Sequence, residues 1–253
     1  RLIASPRVTL RPAIGDGLES RAFEIRDVAA VSVTGFDVEI QSENGRAVQT
    51  LGTVNDVSFV DCTFKHLLPE HRRSLVSIAS LSDGPDSPIQ FMQCHLSAAK
   101  GSIMCLAIEG EVVLCSSVEC TGCVFSGPNT QVIVKSACRR LKISENVFLG
   151  GQNAINLDLQ KWHLDSRIDI VNNTFVESRY WLGLMNSFRR EGQSLIDITA
   201  SDICNNLILG GERVQGGDDQ WKHATSHWRF TNNHWEIGSS VRPTTAWKEG
   251  DWN

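Results

Sequence analysis

The sequence lacks a hydrophobic run of the length that crosses a membrane. No apolar stretch of the 253-residue chain approaches the roughly 18–20 residues that a membrane-spanning helix needs, so we expect no membrane span. The chain also lacks a basic excess, because 24 lysines and arginines stand against 29 aspartates and glutamates. A general nucleic-acid-binding protein normally carries a strongly basic surface. The net charge of −5 therefore predicts no nucleic-acid partner.

The sequence opens with Arg1 and not with a methionine. We expect an excised or processed form, with additional domains in the full-length chain. Hydrophobic residues make up 41% of the sequence and charged residues 21%. This balance is typical of a folded globular protein and excludes bulk disorder.

One template recurs along the chain. Two alternating apolar positions are followed, three positions later, by a small residue or Asn, and two positions after that by another apolar residue. Successive copies start about 28 residues apart on average. Eight copies fit the template, starting at Val31, Val57, Ile89, Val118, Leu141, Ile168, Ser201 and Trp228.

The template predicts strands joined by tight corners. Alternation is typical of a strand with one buried face, and the break of phase at the Asn position indicates a corner, where Asn tolerates a left-handed backbone. A further short strand precedes the template in most copies, for example Val132 to Lys135. Helical repeats of this length would need a 3.6-residue period, which is absent. Three strands and three corners in each repeat predict one coil of a parallel β-solenoid.

The corner position carries a family resemblance. Three of the corners read Asn172-Asn173-Thr174-Phe175, Cys204-Asn205-Asn206-Leu207 and Asn232-Asn233-His234-Trp235. They resemble the second turn of the right-handed parallel β-helices of the pectate-lyase-like superfamily, where an Asn stacks on each coil. The ladder Asn146, Asn173, Asn206 and Asn233 matches that turn, whereas Cys62, Cys94 and Cys123 replace Asn upstream and Phe36 starts the column.

The resemblance implies an all-β fold, a single-stranded right-handed parallel β-helix of about eight coils. We expect one domain over residues 1–253, with a partial first coil at 1–22, regular coils at 23–238 and a C-terminal cap or tail at 239–253. The superfamily includes lyases, hydrolases, esterases, epimerases and inert binding segments, so the fold alone does not assign a function.

The eight cysteines are open to three interpretations. We expect buried free thiols that pack as small hydrophobic side chains, because several cysteines occupy inward positions of the template. Disulfides and a half zinc site at Cys120 and Cys123 are the alternatives, but no second pair lies at metal-ligand spacing. Free thiols favour a reducing compartment, whereas the fold favours a secreted or cell-surface protein, so the localisation stays open.

The resemblance also indicates where a site would lie. Proteins of this superfamily bind along the outer face of one sheet, which here is built from the strand that precedes the template. Its outward residues include Gln49, Ser77, Lys135, Asn156 and Asp158. Lys135 and Asp158 fall on consecutive coils, which are about 4.8 Å apart, so we expect their side chains to be within contact distance.

A lyase would need a base and commonly a Ca²⁺ ion held by clustered acids. The candidate catalytic residues are Lys135, Asp158 and Arg179, and we predict no metal site because the acids needed for calcium do not cluster. The loop aromatics Trp162 and Trp181 suit stacking on sugar rings. The remaining candidate ligand-binding residues are Tyr180, Asn186, His71 and Arg72.

Three functions are compatible with this pattern. The leading hypothesis is a non-catalytic module of a larger bacterial-type protein, which binds carbohydrate or another extended ligand along one solenoid face without a cofactor. The alternatives are a polysaccharide lyase or glycoside hydrolase, with calcium if a lyase, and a structural or protein-interaction solenoid. A hydrolase would need two carboxyl groups about 5–9.5 Å apart, and Asp158 has no evident partner in the sequence.

Overall fold

The structure is a computed structural model, and it describes residues 2–12, 20–69, 73–81, 87–99, 104–109, 116–136, 138–158, 167–185, 200–211, 213–215 and 228–235. These residues form strands and turns and no helix, so none of them builds a helix that could cross a membrane. The strands are β1 (Leu2–Leu10), β2 (Arg21–Ile40), β3 (Arg46–Val60), β4 (Thr63–His66), β5 (Ser74–Ile78), β6 (Ile89–Met92), β7 (His95–Ser97), β8 (Met104–Ile108), β9 (Val118–Thr121), β10 (Val124–Ser126), β11 (Thr130–Val134), β12 (Arg140–Ser144), β13 (Val147–Leu149), β14 (Asn153–Asp158), β15 (Arg167–Val171), β16 (Thr174–Val176), β17 (Tyr180–Met185), β18 (Ala200–Cys204), β19 (Leu207–Leu209), β20 (Arg213–Gln215), β21 (Arg229–Thr231) and β22 (His234–Trp235).

The strands build an all-parallel β-solenoid, which confirms the predicted fold class. About six turns have three separate strands each, from β5–β7 to β20–β22. This is fewer than the eight coils expected, because the first two repeats are not divided in this way. They lie within the long strands β2 and β3, which continue around their corners through left-handed residues such as Asp27 and Asp56. The right-handed sense stays a prediction.

Each turn contributes one strand to each of three faces. The first face contains the starts of β2 and β3, then β5, β8, β11, β14, β17 and β20. The second contains the later parts of β2 and β3, then β6, β9, β12, β15, β18 and β21. The third contains the end of β2, then β4, β7, β10, β13, β16, β19 and β22, and β1 pairs alongside β2.

The core is a stack of apolar side chains between the faces. Phe148 lies between Phe125 and Phe175, with ring centroids 4.8 and 4.9 Å away and nearly parallel planes. Phe59 and Phe91 stack in the same way at 5.1 Å. All five rings are fully buried. Because the same inward position recurs once per turn, the spacing of neighbouring strands also sets the spacing of the stacked rings.

A single buried column follows the corner between the second and third faces. We call it the corner column, and its members are Cys62, Cys94, Cys123, Asn146, Asn173, Asn206 and Asn233. The residue that adopts the left-handed backbone is the one before each member, such as Gln93 or Asn172, and not the Asn itself as the template suggested. The column residue instead uses its side chain to bond neighbouring turns.

Candidate functional site

One register row of the first face contains polar and apolar residues. Gln49 pairs with Ser77, and Ala107 and Ile133 separate Ser77 from Asn156; Ser77 and Asn156 are buried. Residues that follow the strand ends, Glu109 after β8 and Lys135 after β11, extend this surface at its edge. Parallel pairing without bulges between β5 and β14 therefore brings side chains from distant parts of the sequence onto one continuous surface.

Glu109 is the centre of an interaction network on this surface. Its Oε1 accepts a hydrogen bond from Arg46 Nη1 at 3.4 Å, and its Oε2 lies 3.3 Å from Lys135 Nζ. Ser77 Oγ also donates to Glu109 Oε1, at 3.4 Å, and Arg46 Nη1 donates to Ser74 Oγ at 3.2 Å. These five residues, here the Glu109 network, come from four consecutive turns.

Burial differs sharply across the Glu109 network. The side chain of Arg46 is only 8% exposed, whereas those of Glu109 and Lys135 are 30% and 41% exposed. A buried guanidinium needs an anionic or strongly polar partner, which explains the contact with Glu109. Two cations share one carboxylate, so the network carries an excess of positive charge at a surface that is partly open to solvent.

Several buried polar atoms have no hydrogen-bond partner within the described residues. On the first face they include Nε of Arg46 and Oε1 of Gln49, and on the second face Nε of Arg140 and Oγ of Ser201. Buried polar groups are nearly always satisfied, so each such atom requires a partner such as a water molecule or a ligand. Because such atoms occur on both faces, it is the Glu109 network that makes the first face the candidate ligand-binding surface.

The structure places the predicted catalytic residues on or beside the first face but does not bring all three into one cluster. Lys135 pairs with Glu109 on the preceding turn, which the sequence analysis did not predict, and the expected contact between Lys135 and Asp158 stays a prediction. Asp158 ends β14, in register with Met185. Arg179 is exposed just before β17, and its Cζ lies 5.2 Å from the centroid of the Tyr180 ring.

Trp181 differs from the expectation of a loop aromatic that stacks on a ligand. It lies in β17, is 1% exposed and packs against Phe175 with ring centroids 5.4 Å apart. A ring in the core presents no face to a sugar, so this burial argues against a stacking role. His71, Arg72, Trp162 and Asn186 lie outside the described residues, so their predicted roles stay predictions.

Glu109 and its strand are the part of this site that sequence reasoning missed. The strand β8 is apolar throughout, Met-Cys-Leu-Ala-Ile, so it shows no alternation that marks an outward row. The sequence does contain a signal for Glu109. Glu109 directly follows the apolar run of β8, just as Lys135, 26 residues later, directly follows β11. Aligning the ends of successive strands would have paired the two residues.

The second face carries a different charge pattern. Asp169 accepts hydrogen bonds from Arg140 and Arg167, at 3.3 and 2.9 Å, and Asp202 accepts from Arg167 and Arg229, both at 2.7 Å. Arginines and aspartates alternate in this chain of contacts, and its three arginines exceed its two aspartates by one charge, the same excess as in the Glu109 network. We interpret these ion pairs as structural. Substitutions on the second face therefore serve as controls for substitutions on the first face.

No three or more His, Cys, Asp or Glu side chains within the described ranges are arranged to hold a metal ion. The residues present there do not fit the calcium ion that the lyase hypothesis would imply.

Comparisons with family models, with curated proteins and with solved structures gave no match. The structure itself establishes the parallel β-solenoid. Membership of the pectate-lyase-like superfamily stays a resemblance.

Proposed function

We propose that this solenoid is a non-catalytic binding module that holds an extended polar ligand, a carbohydrate chain, along the first face. The observation that carries the proposal is the Glu109 network, which joins four consecutive turns into one polar surface. A ligand that runs along the solenoid axis would meet a new set of side chains about every 4.8 Å.

The chemistry of the network supports a polar ligand. The partly exposed side chains of Lys135 and Glu109 provide a donor and an acceptor of the kind that sugar hydroxyl groups require, whereas Arg46, Ser74 and Ser77 lie buried beneath them. The excess of positive charge at Arg46 and Lys135 favours sugars that carry carboxylate groups over neutral ones.

The enzyme hypothesis stands as the alternative, and the same network supports it in part. A lyase of this fold would use a basic side chain to remove the proton next to a uronate carboxylate, and Lys135 lies at an accessible place for that step. The calcium-binding acids that commonly assist this reaction are not clustered in the described residues. For this reason we favour binding over catalysis.

The test is a binding titration against acidic and neutral oligosaccharides, with Lys135→Ala and Glu109→Gln compared with the wild type. We expect Lys135→Ala to weaken binding of acidic oligosaccharides about tenfold or more, since charged hydrogen bonds contribute about 1.5–3 kcal/mol. Glu109→Gln, which increases the excess of positive charge, should not weaken it. The matched control is Lys142→Ala, which removes a lysine from β12 on the second face. It should leave the affinity unchanged.

The same samples separate the alternatives. Formation of unsaturated product from pectate or alginate, lost in Lys135→Ala, would overturn the non-catalytic assignment. Equal loss of affinity in Lys142→Ala would contradict the choice of face. No binding to any glycan would favour the structural or protein-interaction solenoid.

A further inference from the structure

The first part of the corner column places three thiols on three consecutive turns. The residues that follow them, Thr63, His95 and Val124, are direct register partners on the third face. Cys62, Cys94 and Cys123 are therefore also neighbours in register, and all three are buried. Neighbouring strands lie about 4.8 Å apart, which falls within the Cα separation of about 4.4–6.8 Å that a disulfide spans.

The three side chains also point in the same direction. Each Sγ donates a hydrogen bond to a main-chain carbonyl of the preceding turn, at 3.7 Å for Cys62, 3.4 Å for Cys94 and 3.3 Å for Cys123. The thiols are therefore stacked with parallel Cα–Cβ directions. Cys94 has a thiol on each side, whereas Cys123 is followed by the amide of Asn146.

We propose that the column is a redox modification site in which Cys94 forms either of two alternative disulfides, with Cys62 or with Cys123. In the oxidation, two thiols lose two protons and two electrons to an external two-electron oxidant, and one Sγ–Sγ bond forms. The third thiol stays reduced. As a thiolate, Cys123 can attack Sγ of Cys94 in the Cys62–Cys94 disulfide, which forms the new bond and releases the Cys62 thiolate.

The order of the thiols in the stack suggests the roles in this exchange. The neighbouring thiol of Cys94 lowers the pKa of Cys62 to about 7 and also lowers the pKa of Cys123. The two flanking thiols raise the pKa of Cys94. Because the thiolate is the nucleophile in disulfide exchange, the flanking cysteines act as the attacking groups and Cys94 as the shared partner.

Other described cysteines have different neighbours in register. Cys120 lies between Phe91 and Ile143, and Cys204 lies between Val171 and Thr231. Cys105 is fully buried, which raises its pKa to about 12. None of these three has a thiol at the same position of an adjacent turn, so among the cysteines compared here only those of the column are neighbours in register.

The test is oxidation of the folded protein with diamide, followed by alkylation of the remaining thiols and peptide mapping without reduction. We expect the loss of two thiols per chain, with Cys94 in every cross-linked peptide. Cys62→Ser should leave only the Cys94–Cys123 disulfide, and Cys123→Ser only the Cys62–Cys94 disulfide. Cys94→Ser should abolish cross-linking, and the double change of Cys62 and Cys123 to Ser should do the same with Cys94 in place.

The matched control is Cys105→Ser, which removes a buried cysteine outside the column and should leave the yield of both disulfides unchanged. Oxidation in guanidinium should give a mixture of pairings, which distinguishes reaction of the fold from reaction of the unfolded chain. Recovery of all eight thiols from the folded wild type, or a main cross-link without Cys94, would overturn the proposal. Circular dichroism of each variant verifies that the solenoid is retained.

Discussion

The corner column uses thiols in its first part and amides in its second, at the same position of the same repeat. In the amide part, Nδ2 of Asn173 donates to Oδ1 of Asn206 at 3.0 Å and to the carbonyl of Ile143 at 2.9 Å, while its Oδ1 accepts from N and Nδ2 of Asn146. In the thiol part, Sγ of Cys94 donates a weak hydrogen bond to the carbonyl of Phe59. The ladder continues from Asn206 to Asn233, so its amides link four turns with directional bonds, and the thiols mainly fill space.

This comparison shows that the repeat determines the backbone conformation of the corner more strictly than the identity of its buried side chain. A residue with a positive φ precedes both Cys94 and Asn173, at 54° and 58°. Both side chains are buried to the same degree, with 1% exposure. The backbone of the corner therefore accepts either side chain, and the difference between the two parts should appear in stability and reactivity rather than in the path of the chain.

The largest effect is expected where the amide ladder is interrupted. Asn173→Leu removes four side-chain hydrogen bonds and leaves the main-chain N–H of Asn146 and the carbonyl of Ile143 buried without partners. We expect the free energy of unfolding to fall by about 2 to 4 kcal/mol, since each buried unsatisfied group costs about 1–3 kcal/mol. A denaturant titration followed by tryptophan fluorescence measures the loss.

The matched control for this change is Asn172→Gly. It removes an exposed amide next to the ladder, and glycine accepts the φ of 58° at that position. We expect a change within about 0.5 kcal/mol. A cost below about 1 kcal/mol for Asn173→Leu would mean that the ladder contributes little to stability.

A smaller effect is expected in the thiol part. Cys94→Ala removes one buried sulfur atom and a weak hydrogen bond, so we expect the free energy of unfolding to fall by about 1 kcal/mol, close to the value for one buried methylene. The same denaturant titration gives the comparison directly. If Cys94→Ala cost as much as Asn173→Leu, the thiols would contribute as strongly as the amides and the contrast between the two parts would not hold.

The sequence predicted the corner column well because its members recur at a fixed place in a repeat that buries them. The same reasoning predicted too many separate coils, since nothing in the template showed that β2 and β3 continue through their corners. It also placed Trp181 in a loop, whereas the residue pairs in β17 and fills the core beside Phe175. Local pattern does not reveal which apolar side chain the core will accept.

The candidate site was less predictable, since its contacts join turns whose spacing varies. Lys135 was identified as an outward residue, but its partner Glu109 lies 26 residues earlier. Arg46 contributes from 63 residues before Glu109. Such contacts depend on the register of successive strands, and register becomes known only when every coil, including the apolar strand β8, is placed.

Exchanging thiol and amide at the boundary between the two parts of the corner column tests how strongly each contributes to stability. Cys123→Asn would extend the ladder by one member, because Cys123 already donates to the carbonyl of Phe91 and precedes Asn146 by one turn. We expect a gain of up to about 1 kcal/mol, the value of one net hydrogen bond. Asn146→Cys, the reverse exchange, should be destabilising. Denaturant titration of both variants is the measurement, and a loss with Cys123→Asn would show that the thiol part has no room for an amide.

The smallest effect concerns pH and the residue that follows Cys94. Burial, together with the charge of Lys65, lowers the pKa of His95 below its usual value of 6.5. Folding therefore favours the neutral ring, and this contribution is present above pH 6.5 and is lost as the pH falls through the lowered pKa.

The register partners of His95 in the next turns are Val124 and Val147, which do not titrate. We expect the unfolding free energy of the wild type to fall as the pH drops below 6.5 through the lowered pKa, and His95→Gln to reduce that fall. His234→Gln, at the corresponding exposed position of the last turn, is the matched control and should leave the fall in place. An unchanged pH dependence in His95→Gln would show that acid sensitivity does not distinguish the thiol part of the column from the amide part.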